Sequence, residues 1–145
     1  MGPLLESWRF WALLAAAFAA ATAILAKVGV TGVSADAATF VRTAVVLLLT
    51  GAILAVTGQV QGLGSLSGRS LVFLVLSGLA TGASWLCYFR ALSLGDAARV
   101  APIDKLSVVL VALFGALFLG ESLSFLSWIG VGLIAAGAML VAFAG

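Results

Sequence analysis

The chain has 145 residues, of which 64% are hydrophobic and 8% are charged, and its formal net charge is +2. Soluble domains carry about 25% charged residues, so an apolar fraction this large predicts that the chain lies in a lipid bilayer. Histidine is absent and Cys87 is the single cysteine, which excludes an internal disulfide, most zinc sites and histidine-based catalysis. We therefore expect neither an enzyme nor a cofactor, and the few scattered basic residues argue against nucleic-acid binding.

Five predominantly apolar segments are long enough, or nearly so, to cross a bilayer, since a spanning helix needs about 20 residues at about 1.5 Å each. They lie at about 8–27, 37–58, 70–94, 100–119 and 123–144. The short connections between them are rich in glycine, serine and aspartate, which favour chain reversals and helix caps. The sequence predicts an all-α membrane protein, a bundle of five transmembrane helices in a single domain over residues 1–145.

The second segment carries threonines on one helical face, at intervals of four and seven residues. They are Thr39, Thr43, Thr50 and Thr57. One interpretation is that each hydroxyl bonds back to a carbonyl of its own helix, as is common in lipid. The other is that they form a mildly polar wall. The pattern favours the first interpretation.

The third segment carries a polar stripe, because Ser77, Thr81, Ser84 and Tyr88 are spaced four, three and four residues apart. Trp85 lies beside this stripe. Polar groups that end in an aromatic cluster are typical of a cavity that binds a solute. Hydrogen bonding between neighbouring helices would produce the same pattern, and both interpretations stay open.

Charged residues gather at one end of the predicted bundle, where Arg42, Arg90, Asp104 and Lys105 lie about one turn inside their apolar segments. A charge at the centre of a membrane costs about 2.5–3.5 kcal/mol on insertion scales and is usually paired. We therefore expect Asp104 to form a partly buried ion pair with one of these three cations. The alternatives are that the cations snorkel to the interface and that Asp104 caps the start of the fourth helix. The predicted charge cluster comprises Lys27, Arg42, Arg90 and Arg99.

The orientation signal is nearly balanced. All basic residues together favour the N-terminus outside and the C-terminus inside. Counting only residues in connections leaves Arg9 and Arg69 on one side against Lys27 and Arg99 on the other. Insertion in both orientations is therefore the favoured prediction, and a single orientation is the alternative.

Two stretches resemble the EamA repeat of the drug/metabolite transporter superfamily. One is YFRALSLGDAARVAPIDKLSVVLVALFGALFLGESLS followed by WIGVGLIAAGAMLV, and the other is the opening LLAAAFAAATAILAKVGVTGVSADAATFVRT. Most members carry two inverted repeats in ten helices, whereas this chain has room for one. The resemblance implies a single-repeat, half-length member that pairs with a second copy, in either an antiparallel or a parallel arrangement. It also implies a cavity lined mainly by the first four helices.

The function that the resemblance implies is a secondary transporter subunit, which moves metabolites, amino acids or drug-like solutes across the inner (cytoplasmic) membrane by alternating access. The alternatives are a non-transporting membrane partner and a passive channel. We expect the dimer contacts to include the small-residue seam of the fourth or of the fifth segment. The candidate substrate-binding residues are Thr43, Thr81, Ser84, Trp85, Tyr88, Asp104 and Lys105.

Overall fold

The computed structural model describes residues 7–144, and within this range the chain forms helices and connections without any β-strand. The helices are α1 (Trp8–Gly29), α2 (Ala35–Val56), a 3₁₀ helix (Gln59–Ser65), α3 (Gly68–Leu94), α4 (Ala97–Asp104), α5 (Ser107–Phe118) and α6 (Phe125–Phe143). Five stretches are long and apolar enough to cross a membrane, with α4 and α5 together forming the fourth. The prediction of an all-α fold with five membrane-spanning segments is confirmed.

Serine side chains fix the starts of two helices close to the predicted positions. Ser34 has an extended backbone and its hydroxyl accepts a hydrogen bond from the Ala37 N–H at 3.3 Å, so α2 begins at Ala35. Ser124 does the same for α6, where it accepts from the Ser127 N–H at 3.1 Å. Such caps satisfy N–H groups that lack a partner within the first helical turn.

The fourth predicted segment begins earlier than residue 100. Asp96 is extended and precedes α4, and its carbonyl accepts hydrogen bonds from the N–H groups of Arg99 and Val100, each at 2.9 Å. Pro102 therefore lies in the interior of α4 and not in its first turn. Because proline has no N–H, the carbonyl of Ala98 loses its usual helical donor there.

The same segment is also interrupted, which the apolar pattern did not predict. At Lys105 and Leu106 the backbone forms turns, and the Leu106 N–H donates to the Ile103 carbonyl at 3.0 Å. Bonds between residues three apart tighten the chain into a 3₁₀ turn between α4 and α5. Asp104 thus ends α4, and no side chain caps the start of α5. The interpretation of Asp104 as a helix-start cap is wrong.

The described chain divides into two compact units, the central unit (residues 25–93) and the terminal unit (residues 7–24 and 94–144). The buried side chains of the central unit are those of Ala26, Val30, Thr39, Phe89 and Leu92. They come from the end of α1 and the residue that follows it, the start of α2 and the end of α3. The packed part of this unit therefore lies at one end of its helices.

In the terminal unit, α6 packs against α4 and α5. Apart from Gly130, which is also half-buried, the buried or half-buried residues of α6 recur at intervals of three and four, and they are Trp128, Val131, Ala135, Ala138 and Ala142. This spacing keeps them on one helical face. Small side chains along that face let the helices approach closely.

A glycine terminates α5. Gly120 has a left-handed backbone with a φ of 68°. The N–H groups of Leu119 and Glu121 both donate to the Gly115 carbonyl at 3.1 Å. The Glu121 side chain covers Gly115 so closely that a Cβ at residue 115 would lie 2.7 Å from its Oε2. The turn that follows α5 therefore depends on both glycines.

Gly120→Ala is expected to lower the free energy of unfolding by about 1–2 kcal/mol, because a Cβ is unfavourable in the left-handed conformation. An SDS unfolding titration followed by circular dichroism measures this change. Gly51→Ala is the matched control, since Gly51 is helical with nothing within 4 Å of an added Cβ. An equal loss in both variants would contradict the role given to Gly120.

Candidate functional site

The central unit brings a cation and an aromatic ring together inside the apolar segments. The guanidinium carbon of Arg42 lies over the Trp85 ring, 3.2 Å from the ring centroid. Arg42 is about 10 Å along α2 from its first residue, and Trp85 is about 14 Å before the last residue of α3. The two residues therefore lie at similar depths from the same end of their helices. Stacking on Trp85, and not extension towards the interface, is the arrangement that Arg42 adopts.

Neighbouring aromatic rings hold the Trp85 indole in place. Tyr88 meets it edge-on, with ring centroids 5.4 Å apart and an angle of 81° between the planes. Phe89 is tilted against it at 5.8 Å and 49°, and its side chain is buried. Aromatic pairs of this geometry contribute about 0.5–1.5 kcal/mol beyond the area they bury. Trp85 is therefore a fixed surface on which the guanidinium rests.

The charge of Arg42 is not neutralised within the central unit. This unit contains four basic residues and a single acidic residue, Asp36. Asp36 lies six residues before Arg42 on the same helix, so the two side chains point to different sides. Among residues 25–93, Arg42 forms no ion pair and donates no hydrogen bond. A cation–π contact attracts the guanidinium, but it leaves the net positive charge in place.

Lys27 joins the end of α1 to the end of α3. Its Nζ donates a hydrogen bond to the Leu92 carbonyl at 2.7 Å. Leu92 is two residues before the end of α3, where carbonyl groups lack helical partners and the helix dipole is negative. Leu92 and Trp85 are seven residues apart, so Lys27 and Arg42 approach one face of α3 about 10 Å apart along its axis.

Lys27→Met is expected to lower the free energy of unfolding by about 1–2 kcal/mol, because the hydrophobic chain remains but the charged donor at the helix end is lost. Lys105→Met is the control, since Lys105 is exposed and pairs with its sequence neighbour. Thermal unfolding in detergent measures both variants. A larger effect at Lys105 than at Lys27 would contradict the structural role of Lys27.

A cavity of about 350 Å³ lies beside the Lys27 contact. Its lining residues are Lys27, Val30, Thr31, Gly32, Val33, Leu92 and Ser93. Small-molecule sites typically begin at about 300 Å³. The cavity combines the ammonium group with backbone and hydroxyl groups of the connection that follows α1. It is therefore large enough for a small polar solute.

The threonine hydroxyls of α2 bond back to their own helix. Thr43 donates to the Thr39 carbonyl and Thr39 to the Ala35 carbonyl, each at 2.8 Å, and Thr50 and Thr57 make equivalent bonds. Thr81 in α3 donates to the Ser77 carbonyl at 2.8 Å. These hydroxyls have used their donors but keep lone pairs that can accept a further hydrogen bond.

The predicted stripe on α3 lies along the edge of its packed face. Thr81 and Ser84 are exposed, whereas Trp85 and Tyr88 are half-buried. The Ser84 hydroxyl makes no hydrogen bond with any residue between 7 and 144. The central unit thus brings Arg42, Trp85 and Tyr88 together, with hydroxyl groups on the adjoining flank.

The expected ion pair at Asp104 is formed with Lys105, at 3.0 Å between Nζ and Oδ2. Both residues belong to the terminal unit. The Lys105 and Asp104 side chains are 56% and 33% exposed, so the pair is more exposed than the sequence led us to expect. Exposed pairs contribute about 0.2–1 kcal/mol.

The four members of the predicted charge cluster do not share one location. Lys27 and Arg42 approach one face of α3, but Arg90 is exposed and lies about 200° around that helix from Leu92. Arg99 is exposed on α4, in the terminal unit. The sequence placed Trp85 beside the polar stripe of the third segment, but it did not predict the contact of Trp85 with Arg42. Their similar depth in α2 and α3 was the signal that could have shown it.

Comparison with known proteins gives a consistent result across nearly the whole chain. The profile of the EamA-like transporter family matches residues 6–143. A curated protein of Sinorhizobium sp, named "Uncharacterized transporter in cobO 3'region", is 64% identical over 137 residues, which cover 94% of this chain and 97% of that protein. No solved structure matches the chain.

Proposed function

The chain belongs to the EamA-like transporter family, and from this premise we propose that it is one subunit of a secondary transporter for small organic solutes. Its five candidate spans make it a multi-pass membrane protein, and its family makes it a membrane transporter. The proposal adds that it works by alternating access, as a dimer, in the cytoplasmic membrane.

The observation that carries this proposal is the stacking of Arg42 on Trp85. An arginine inside an apolar helix is costly, and such residues usually mark solute or ion pathways. A purely structural arginine would be expected to meet a carboxylate, and Arg42 meets none in the central unit. A role towards a solute accounts for a cation that is held in place without being neutralised.

The other candidate residues fit the proposal in two ways. Thr43, Thr81, Ser84 and Tyr88 supply polar groups around Arg42 and Trp85 in the central unit. In the terminal unit, Asp104 and Lys105 lie at the 3₁₀ turn between α4 and α5. A 3₁₀ stretch inside a membrane-spanning segment often marks a hinge, and alternating access requires one helix to move against its neighbours.

A second copy of the chain is proposed because one repeat offers half of the interface at which repeat-built transporters bind their solutes. No residue of α3 between Gly68 and Tyr88 is buried, and Thr81 and Ser84 are exposed along this stretch. Polar groups inside a membrane usually face protein or water and not lipid. An inverted second copy would cover this flank.

The outer face of α6 is a candidate contact in that dimer. It forms an apolar groove of about 560 Å³, lined by Ala136, Met139, Leu140, Phe143 and Ala144. Ala136 is close to the middle of α6, so two Ala136 residues meet whether the copies are parallel or antiparallel. Phe143 is near one end, so two such residues would be about 27 Å apart in an antiparallel pair.

In a Cys87→Ser background, Ala136→Cys is expected to form a disulfide-linked dimer in native membranes, whereas Phe143→Cys is expected to stay monomeric. The reason is that a disulfide requires Cα atoms within about 7 Å. Cross-linking by an oxidant, read on a non-reducing gel, measures this. Linkage at both positions would indicate a parallel pair, and linkage at neither would contradict a dimer through α6.

Solute flux by purified protein in liposomes tests the proposed function, with and without a proton gradient. A panel of radiolabelled amino acids, hydroxy acids and amines serves as the probe. Saturable uptake that exceeds uptake by protein-free liposomes is expected for at least one solute. Uptake that rises linearly without saturation would indicate a channel, and uptake equal to that of protein-free liposomes for every solute would contradict transport.

A further inference from the structure

We propose that Arg42 binds the carboxylate of the transported solute, so that this protein selects small organic monoanions or zwitterions that carry a carboxylate group. The proposal rests on the proposed function and names the substrate class of the same site. It is carried by the geometry of Arg42 on Trp85 and by the charge of the central unit.

The stack on Trp85 leaves the binding edge of the guanidinium available. A guanidinium that lies over a ring uses its flat face, with Cζ 3.2 Å from the ring centroid. Its N–H groups point outward in the plane of the group, in a fork that matches the two oxygens of a carboxylate. None of them donates a hydrogen bond to a residue in the described part of the chain. The orientation of this donor fork is fixed by Trp85, which Tyr88 and Phe89 hold in turn.

The charge of the surroundings favours an anion over a cation. The central unit has four basic residues against one acidic residue, and Asp36 cannot reach Arg42 from six residues away on the same helix. Lys27 donates to the Leu92 carbonyl about 10 Å further along α3. A solute that carries a single negative charge would neutralise Arg42, whereas a cationic solute would meet repulsion.

The threonine that follows Arg42 complements a carboxylate-bearing solute. The hydroxyl proton of Thr43 is donated to the Thr39 carbonyl, so this exposed hydroxyl keeps lone pairs for a ligand. Lone pairs accept N–H or O–H groups. The site would therefore hold the carboxylate at Arg42 and accept hydrogen bonds from an amino or hydroxyl group elsewhere on the solute.

A single arginine fits a carboxylate better than a phosphate ester. A phosphate monoester carries about −1.5 to −2 charges at neutral pH, and one guanidinium would leave about half of that charge unpaired at membrane depth. Anionic lipid head groups offer a phosphodiester with a single charge. They are therefore the competing source of an anion, and the test includes them.

The test measures binding directly, with benzoate as the probe and with benzamide and benzylamine as its neutral and cationic counterparts. Trp8, Trp11 and Trp128 are changed to phenylalanine, so that Trp85 is the one tryptophan left and reports on Arg42. The protein is placed in nanodiscs of phosphatidylcholine. We expect benzoate to change the Trp85 emission saturably, and benzamide and benzylamine to leave it unchanged.

Arg42→Gln is expected to weaken benzoate binding by about 10- to 100-fold, because this substitution removes a charge-assisted hydrogen-bonded contact. Arg42→Lys is expected to bind with intermediate affinity, because it keeps the charge and loses the fork. Arg69→Gln is the matched control, since Arg69 also lies over an aromatic ring, that of Phe73 at 6.0 Å, at the other end of α3. It is expected to bind like the parent protein.

Three results of the binding test would overturn the inference. One is benzamide binding as tightly as benzoate, and another is unchanged benzoate affinity in folded Arg42→Lys and Arg42→Gln. The third is no response to benzoate together with a change of Trp85 emission when phosphatidylglycerol is added, which would assign Arg42 to lipid head groups. The flux measurement separates this inference from the proposed function. Flux in liposomes that is equal in the parent protein and in Arg42→Gln would support the transporter function and contradict the role of Arg42. Benzoate binding that depends on Arg42, without flux of any solute, would support the binding site and contradict the transporter function.

Discussion

Trp85→Ala is expected to lower the free energy of unfolding by about 3 kcal/mol, the low end of the range for large aromatic truncations in packed surroundings. The ring contacts Arg42, Tyr88 and Phe89 at once, and its removal leaves a cavity and a cation without its aromatic partner. Trp85→Phe keeps an aromatic surface and is expected to lose about half as much. An SDS titration followed by far-UV circular dichroism measures these changes.

Trp8→Ala is the matched control for that prediction. Trp8 is also approached by an arginine, with the guanidinium carbon of Arg9 5.4 Å from its ring centroid, but the Trp8 side chain is 74% exposed. An exposed cation–π pair contributes about 0.5–1 kcal/mol. If Trp8→Ala were as destabilising as Trp85→Ala, the contacts of Trp85 with Arg42, Tyr88 and Phe89 would not stabilise the central unit in particular.

Fixing the chain in a single membrane orientation is expected to abolish solute flux. The basic residues within three residues of an end of a membrane-spanning segment are balanced. They are Arg9 and Arg69 on one side and Lys27 and Arg99 on the other. An antiparallel dimer needs copies in both orientations. Lysines added to the 3₁₀ helix at Gln59–Ser65 favour one orientation, and lysines added to the connection at residues 30–34 favour the other, because basic connections stay in the cytoplasm. Each variant alone is expected to give the flux of protein-free liposomes, and co-expression is expected to restore it.

Labelling of cysteines introduced at Gly62 and Gly95, in a Cys87→Ser background, controls for the orientation of each variant in intact cells. Full flux by one variant alone, with labelling at a single site, would contradict the antiparallel dimer. The same result would indicate that Arg42 and Arg90 help to set a single membrane orientation.

The helices of this protein could be predicted from the sequence because apolar length alone nearly determines them. Ser34 and Ser124 then fix the starts of α2 and α6 by local side-chain bonds that leave a clear pattern. The interruption at Lys105 and Leu106 left no such pattern. The segment Ala97–Phe118 as a whole is apolar enough to cross a membrane, and the change within it is from bonds between residues four apart to bonds between residues three apart.

The site could be predicted only in part. The stripe on α3 identified Trp85 and Tyr88, because helical spacing places them on one face. The partner of each cation depends on how neighbouring helices pack. Lys27 bonds a backbone carbonyl, which every residue possesses, so no side-chain pattern pointed to Leu92. Arg42 stacks on a ring 43 residues away, and the sequence suggested a carboxylate as its partner.

Counterflow in liposomes that contain the parent protein, Arg42→Gln or Arg69→Gln tests whether Arg42 takes part in transport, with a panel of radiolabelled carboxylate-bearing solutes as the probe. Saturable counterflow is expected for the parent protein and for Arg69→Gln. For Arg42→Gln that is folded and dimeric, counterflow no faster than in protein-free liposomes is expected. Equal counterflow by the parent protein and Arg42→Gln would contradict a role of Arg42 in transport.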